Sequence, residues 1–237
     1  GNYSFVAPRE LSDEDIAFLC QWTNNVFEKN FLKDHVIKVH EEIRQREHIY
    51  RCISAFSYLT PKCRLHPKYQ ECIELLLKDR NTRILDLGTC FGQEVRGLIQ
   101  SGVDPSQITA SDLLPNYWNA GKDLFLDNME EVANLRGLNQ TQTLFGDWAT
   151  PITSGDITDN LENYFDVIIC WAVFHVLSKE QVDFMIRRIF RVLKLGGILI
   201  GSCRGATQSK EWVKTPDSLS RRYLHNESSL AEVFESA

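Results

Sequence analysis

In the run RILDLGTCFGQEV an acid, Asp86, stands two residues ahead of Gly88, and Gly92 follows at the start of a helical stretch. A glycine turn at the carboxyl end of a parallel strand lets backbone approach a ligand and aims the N–H groups of the next helix at it. Twenty residues beyond Gly92, Asp112 stands in TASDLLP, where a carboxylate after a second strand would accept both hydroxyls of a ribose. Asp147, in LFGDW, ends a third apolar run, and His175, in AVFHVLS, follows a fourth. His175 is the candidate general base, because an imidazole with an ordinary pKa of about 6.5 exchanges protons near neutral pH. The glycine spacing limits the ligand. A dinucleotide fingerprint reads G-x-G-x-x-G, whereas here Cys90 occupies the place of the second glycine and the third is missing. An NAD-dependent oxidoreductase is therefore the weaker reading.

The elements that must position these residues follow from periodicity. From residue 83 onward, short apolar runs (RILDL, QITAS, QTLFG, FDVIICWA, GGILIGSC) alternate with helical stretches near Glu94 to Ser101, Trp118 to Leu135 and Lys179 to Leu193. Strands alternating with helices predict parallel strands with right-handed crossovers, hence an α/β, Rossmann-like doubly wound sheet. Before residue 80 the pattern is helical: Ile16, Leu19, Trp22 and Val26, then Val36, Val39 and Ile43, recur at three and four. Ser12, with Asp15 three residues on, is a candidate N-cap. The expected division is a helical cap or lid over 1–80 and a ligand-binding core over 81–237. Pro61 and Pro67 interrupt the helical pattern where Tyr50, Phe56, Tyr58 and Tyr69 cluster. Those aromatics pack between helices or line a substrate lid. Trp22, Phe56, Tyr58 and Phe174, with Trp171, are the candidate apolar walls for a hydrophobic substrate.

With 26 basic against 32 acidic side chains the formal charge is −6, which offers no footprint for a phosphate backbone, so no nucleic-acid partner is expected. No apolar run approaches the roughly 20 residues that span a bilayer, and the polar start lacks a signal-peptide pattern, so the expected location is cytoplasmic, without a membrane partner. Seven cysteines include no C-x-x-C pair, which predicts reduced, mostly buried thiols and no metal site.

The D-x-G-x-x-x-G turn resembles that of class I S-adenosylmethionine-dependent methyltransferases. Within that class, the runs YRCISAFSYLTPKCRLHPKYQECIELL, LDLGTCFGQEVRGLIQSGV, SDLLPNYWNAGKDLF, VFHVLSKEQ and RRYLHNESS are similar to fungal meroterpenoid-pathway O-methyltransferases over nearly the whole chain. It departs from them at FGDW, where aliphatic residues more often follow the acid. The resemblance implies S-adenosyl-L-methionine as cofactor and O-methylation of a small hydrophobic acid or phenol, a polyketide or terpenoid intermediate. It implies that Asp86 orients the methionine amino group, Gly88 and Gly92 form the turn, and Asp112 with Leu113 holds the ribose side. Asp147 and Trp148 meet the adenine, and Trp171 faces the transferred methyl. A carboxylate acceptor needs no base, while a hydroxyl needs one such as His175; Arg51, Lys62, Arg64 and Arg204 are candidate cations for an acid. A non-methylating protein that binds the same cofactor on the same fold, a pericyclase or regulatory subunit, remains the alternative, because it would keep Gly88 and Asp112.

The class implies seven strands, of which five are counted by Cys203, followed by a loop and one helix from about Ser228. The fifth strand is then expected to be a bare edge, in a chain that is shortened or paired through a partner such as a second copy. Shielding of that edge by the 204–225 loop is the other expectation.

Overall fold

The computed structural model describes residues 10–46, 51–213 and 221–237. Four helices come first: α1 Ala17–Trp22, α2 Lys29–Arg46, α3 Arg51–Ser54 and α4 Tyr69–Lys78. The alternating part then runs β1 Ile84–Leu87, α5 Gln93–Gln100, β2 Ile108–Asp112, α6 Asn116–Leu124, α7 Glu130–Arg136, β3 Gln142–Phe145, β4 Phe165–Trp171, α8 Lys179–Val192 and β5 Leu193–Ser202. A hairpin, β6 Lys210–Val213 and β7 Arg221–Leu224, precedes the last helix, α9 Glu227–Ser236.

The main sheet is parallel with the order β3-β2-β1-β4-β5, as the alternation predicts. Its faces divide by the two-residue period of a strand: Ile84, Ile108, Ala110, Val167 and Ile169 face one cluster with α4 and α5, while Leu85, Leu87, Ile168 and Cys170 face another with α8 and α9. Because both faces are buried, the strands read as nearly continuous apolar runs. The order reverses between β1 and β4, and crevices at the carboxyl ends of strands open at such switch points. β1 meets both neighbours there, with Leu87 beside Ser111 on one side and Cys170 on the other.

A third cluster joins α1 and α2 to Phe91 of the glycine turn and to Tyr117, Leu124 and Phe125. The N-terminal helices thus share a core with the alternating α/β part, and α4, on the N-terminal side of the expected 80/81 division, packs on the sheet through Cys72, Ile73 and Leu76.

Several expectations are corrected. The helix expected over 118–135 is two helices, broken where Leu126 adopts φ 58°. Val26, placed on the apolar stripe of the first helix, is exposed, since α1 ends at Trp22. Ser12 and Asp15 do exchange reciprocal bonds, Asp15 N–H to Ser12 Oγ and Ser12 N–H to Asp15 Oδ2, one turn before α1. The segment expected to be a 204–225 loop contains the antiparallel β6–β7 pair, and neither strand joins the main sheet. Among the described residues β5 pairs only with β4. Tyr50 lies outside the described residues.

Candidate functional site

The glycine turn is fixed from below by β2. The N–H groups of Gly88 and Thr89 both donate to the carbonyl of Ser111, at 2.8 and 2.9 Å. Gly88 has φ +80°, and a Cβ there would lie 2.4 Å from Cγ2 of Val173, just past β4. Gly92, at φ +73°, caps α5, and a Cβ on it would strike the Trp118 ring and the Arg96 guanidinium. Both glycines are therefore demanded by conformation and by space.

Asp86 is fully buried beneath the turn, and Thr89 Oγ1 donates to its Oδ2 at 2.7 Å. Burial, then the nearby Glu94, raises its pKa to about 8, while the Thr89 bond opposes the rise. Asp112, at the end of β2, accepts the N–H of Cys90 on Oδ2 and that of Leu113 on Oδ1, each at 2.8 Å. A carboxylate offers about four lone-pair positions, so both oxygens keep capacity for a diol. Burial raises the Asp112 pKa, and these two N–H bonds oppose it. Leu113 and Leu114, 53% and 51% exposed, present apolar surface beside it.

Asp147 is exposed after β3, with Oδ1 accepting the N–H of Ala149 at 2.7 Å. Trp148 corrects one expectation. Its ring is 2% exposed and its Nε1–H donates to Ser111 Oγ at 2.8 Å, so the indole belongs to the core and only its backbone is left to meet an adenine. The Asp147 loop is held by Arg188 of α8, fully buried, which donates to the carbonyls of Trp148 and Thr150 and pairs with Asp156 at 2.6 Å.

At the end of β4, Trp171 is partly buried against the sheet cluster and Ala172 has φ 62°. His175 lies in the turn that follows, and the backbone N–H of Arg204 donates to its Nδ1 at 3.3 Å. Burial, then the positive charges of Arg204 and Arg222, lowers its pKa.

The expected substrate walls are corrected more heavily. Trp22, Phe56 and Tyr58 are buried, and Phe174 packs in the cluster between sheet and α8 with Phe234 of α9. His40 stacks on Phe56 at 4.2 Å, Tyr58 stacks on Phe91 of the turn at 4.3 Å, and Tyr58 Oη bonds His40 Nδ1 at 3.0 Å. These rings join cap to turn by packing and form no open wall. The seven cysteines are free thiols; Cys20, Cys63, Cys72 and Cys170 are buried, Cys90 and Cys203 half-buried, and Cys52 exposed.

Three charged residues that build the site went unassigned in the sequence. Arg188 holds the β3 loop. Glu94, on the first turn of α5, accepts the N–H groups of Lys62 and Cys63 at 2.8 and 3.1 Å and so fastens the cap to the helix that the turn leads into. Arg96, one turn on, grips the glycine turn itself. Their signal was a charged residue on the apolar face of an amphipathic helix.

This fold, with a glycine turn at the switch point and acids in or just past the last residues of the first three strands, has the Rossmann-like architecture that class I methyltransferases share. Residues 85–201 match the family described as "Methyltransferase domain". The chain is similar to the O-methyltransferase phiE of a fungal species, 27% identical over 188 residues that make up 78% of this chain and 59% of that protein. It is also similar to the asnovolin E/chermesin D methyltransferase nvfJ of Aspergillus novofumigatus, 29% identical over 171 residues, 71% of this chain and 56% of that one. The chain thus spans somewhat over half the length of these relatives. Among solved structures, phosphoethanolamine N-methyltransferase 2 of Haemonchus contortus, in complex with S-adenosyl-L-methionine, shares the fold with a TM-score of 0.50 at 17% identity, over 83% of this chain and 43% of that one. The residues present fit that cofactor: two glycines that exclude a Cβ, a buried acid under the turn, and a carboxylate with spare acceptor capacity beside exposed leucines.

Proposed function

We propose that the protein methylates an oxygen of a small hydrophobic acid, forming a methyl ester, with S-adenosyl-L-methionine as donor. When bound, that cofactor supplies an electrophilic methyl group on a sulfonium. Asp112 would hold the ribose hydroxyls, with Leu113 against the adjoining surface. The N–H groups at the start of α5 would meet the methionine end, and ionised Asp86 would balance its amino group. The backbone at Asp147 and Trp148 would border the adenine, and the end of β4 the reacting centre.

One observation carries the choice of acceptor. Because Nδ1 of His175 accepts the Arg204 N–H, neutral His175 must carry its proton on Nε2 and is a donor there. The nitrogen with the lone pair is occupied, and burial, then the two neighbouring arginines, favours the neutral ring. A donor imidazole beside guanidinium groups suits an anion and does not suit removal of a proton from a hydroxyl. A carboxylate is already ionised near neutral pH, so the protein need only position it in line with the methyl. Of the cations read from the sequence, Arg204 is the one that acts on His175.

The test is turnover with labelled S-adenosyl-L-methionine on matched pairs of terpenoid or aromatic acids and the corresponding alcohols. Methyl esters are expected from the acids, with Arg204→Gln raising the KM for the acid. Methyl ethers from the alcohols, with the acids inert, would reject the ester reading.

A further inference from the structure

The guanidinium of Arg96 is wholly buried where the cap meets the glycine turn. Its Nη1 donates to the carbonyl oxygens of Phe91 at 2.6 Å and Gly92 at 2.8 Å. Its Nη2 pairs with Oδ2 of Asp127, and its plane lies 4.3 Å from the Phe125 ring centroid, with Trp118 and Trp22 at 5.6 and 5.7 Å. The other oxygen of Asp127 accepts Nε1–H of Trp22 at 2.9 Å, and Trp22 is the last residue of α1. A single buried ion pair thus touches the cap helix, the break between α6 and α7, and the ligand turn.

Burying that pair is costly unless its geometry is well satisfied, and removing one partner leaves an unpaired buried charge. Bonding both carbonyls fixes the backbone path from the turn into α5, whose first N–H groups would meet a ligand. A planar fork can bond both carbonyls and a carboxylate at once, which a lysine ammonium cannot do in this arrangement.

We propose that Arg96 is a positioning residue for the cofactor turn, and that Asp127 and Trp22 make the geometry of that turn depend on the docking of cap helix α1. The identity of the ligand rests on the methyltransferase reading; the mechanical link does not.

Arg96→Lys, Asp127→Asn and Trp22→Phe are compared with the wild type by site-resolved amide exchange without ligand and by calorimetry with S-adenosylhomocysteine. Trp22→Phe keeps a smaller aromatic ring in place and both charges intact while removing the indole N–H, so it remains informative should either charge variant fail to fold. In each folded variant the amides of residues 88–96 are expected to exchange roughly two- to tenfold faster, the scale of one lost hydrogen bond, with β4 unchanged. Product affinity should fall by a similar factor. In turnover the KM for the donor should rise while kcat at saturating donor stays within about twofold. Turn exchange at wild-type rates in Trp22→Phe and Asp127→Asn overturns the proposal. A wild type that binds no S-adenosylhomocysteine would instead overturn the donor assignment, and the exchange measurement would still decide the clamp.

Discussion

Oδ2 of Asp112 accepts the backbone N–H of Cys90 at 2.8 Å, so the acid ending β2 is bonded directly to the middle of the glycine turn that follows β1. One carboxylate therefore braces the turn and, in the proposed site, would also hold the ribose hydroxyls. Asp112→Ala should lose a charge-assisted bond to the ligand, roughly 1.5 to 3 kcal/mol of binding free energy. Asp112→Asn, which can keep the Cys90 bond through its amide oxygen, should lose less. Calorimetry with S-adenosylhomocysteine measures both, and wild-type affinity in Asp112→Ala would remove this residue from the site.

Asp86 makes binding and stability respond to pH in opposite senses. Its pKa in the folded protein is raised to about 8 by burial and by Glu94. A raised pKa means that its contribution to folding is fully present below the model value of 3.8 and is lost as pH rises through about 8. Stability should fall over that range, and Asp86→Asn should flatten the fall. A cationic amino group bound near Asp86 favours the ionised form, so binding of S-adenosylhomocysteine at pH 7 should release a proton, measured from heats in buffers of different ionisation enthalpy. Equal proton release by the wild type and Asp86→Asn would refute this.

His175 gives a kinetic signature. Burial, then the charges of Arg204 and Arg222, lowers its pKa, which favours the neutral ring near neutral pH. With an acid as acceptor and donor at saturation, the rate should be flat from about pH 6 to 9, and His175→Ala should retain substantial turnover. A rate that climbs with a histidine-like pKa and vanishes in His175→Ala would identify a base and a hydroxyl acceptor.

The strands and their parallel order were legible because a sheet buried on both faces forces unbroken apolar runs, and the turn was legible because two glycines were required by conformation. The α6–α7 break was not. No glycine or proline marks it, and the chain turns there where Asp127 meets Arg96, a partner 31 residues away. The β6–β7 hairpin was missed because KEWV and RRYL are polar strands that leave the main sheet. Arg96 and Arg188 carry no assignment in the sequence, since the burial of a charge is hard to see apart from its counterion. Trp22, Phe56 and Tyr58 show the converse limit: aromatic clustering predicts an apolar interior, and only the packing tells a core from a pocket.

Gly121 provides a test in which local and tertiary effects have opposite signs. It lies inside α6, where glycine is about 1 kcal/mol less favourable than alanine, so Gly121→Ala should stabilise an isolated helix. Here a Cβ would sit 2.1 Å from the carbonyl oxygen of Phe91 and 2.8 Å from its carbonyl carbon, and both belong to backbone that no side-chain rotation can move. That same carbonyl is held by Arg96 at 2.6 Å, so the turn cannot yield without loosening the clamp. Overpacking of this kind costs about 1 to 3 kcal/mol, which exceeds the gain in helix propensity. Gly121→Ala should therefore lower the denaturation midpoint and weaken S-adenosylhomocysteine binding, although residue 121 bears no ligand-binding group. Asn119→Ala, on the exposed side of the same helix, should leave both unchanged or slightly improve stability. If Gly121→Ala proves as stable as Asn119→Ala and binds the ligand normally, α6 does not press on the turn, and this packing cannot be what sets the turn's shape.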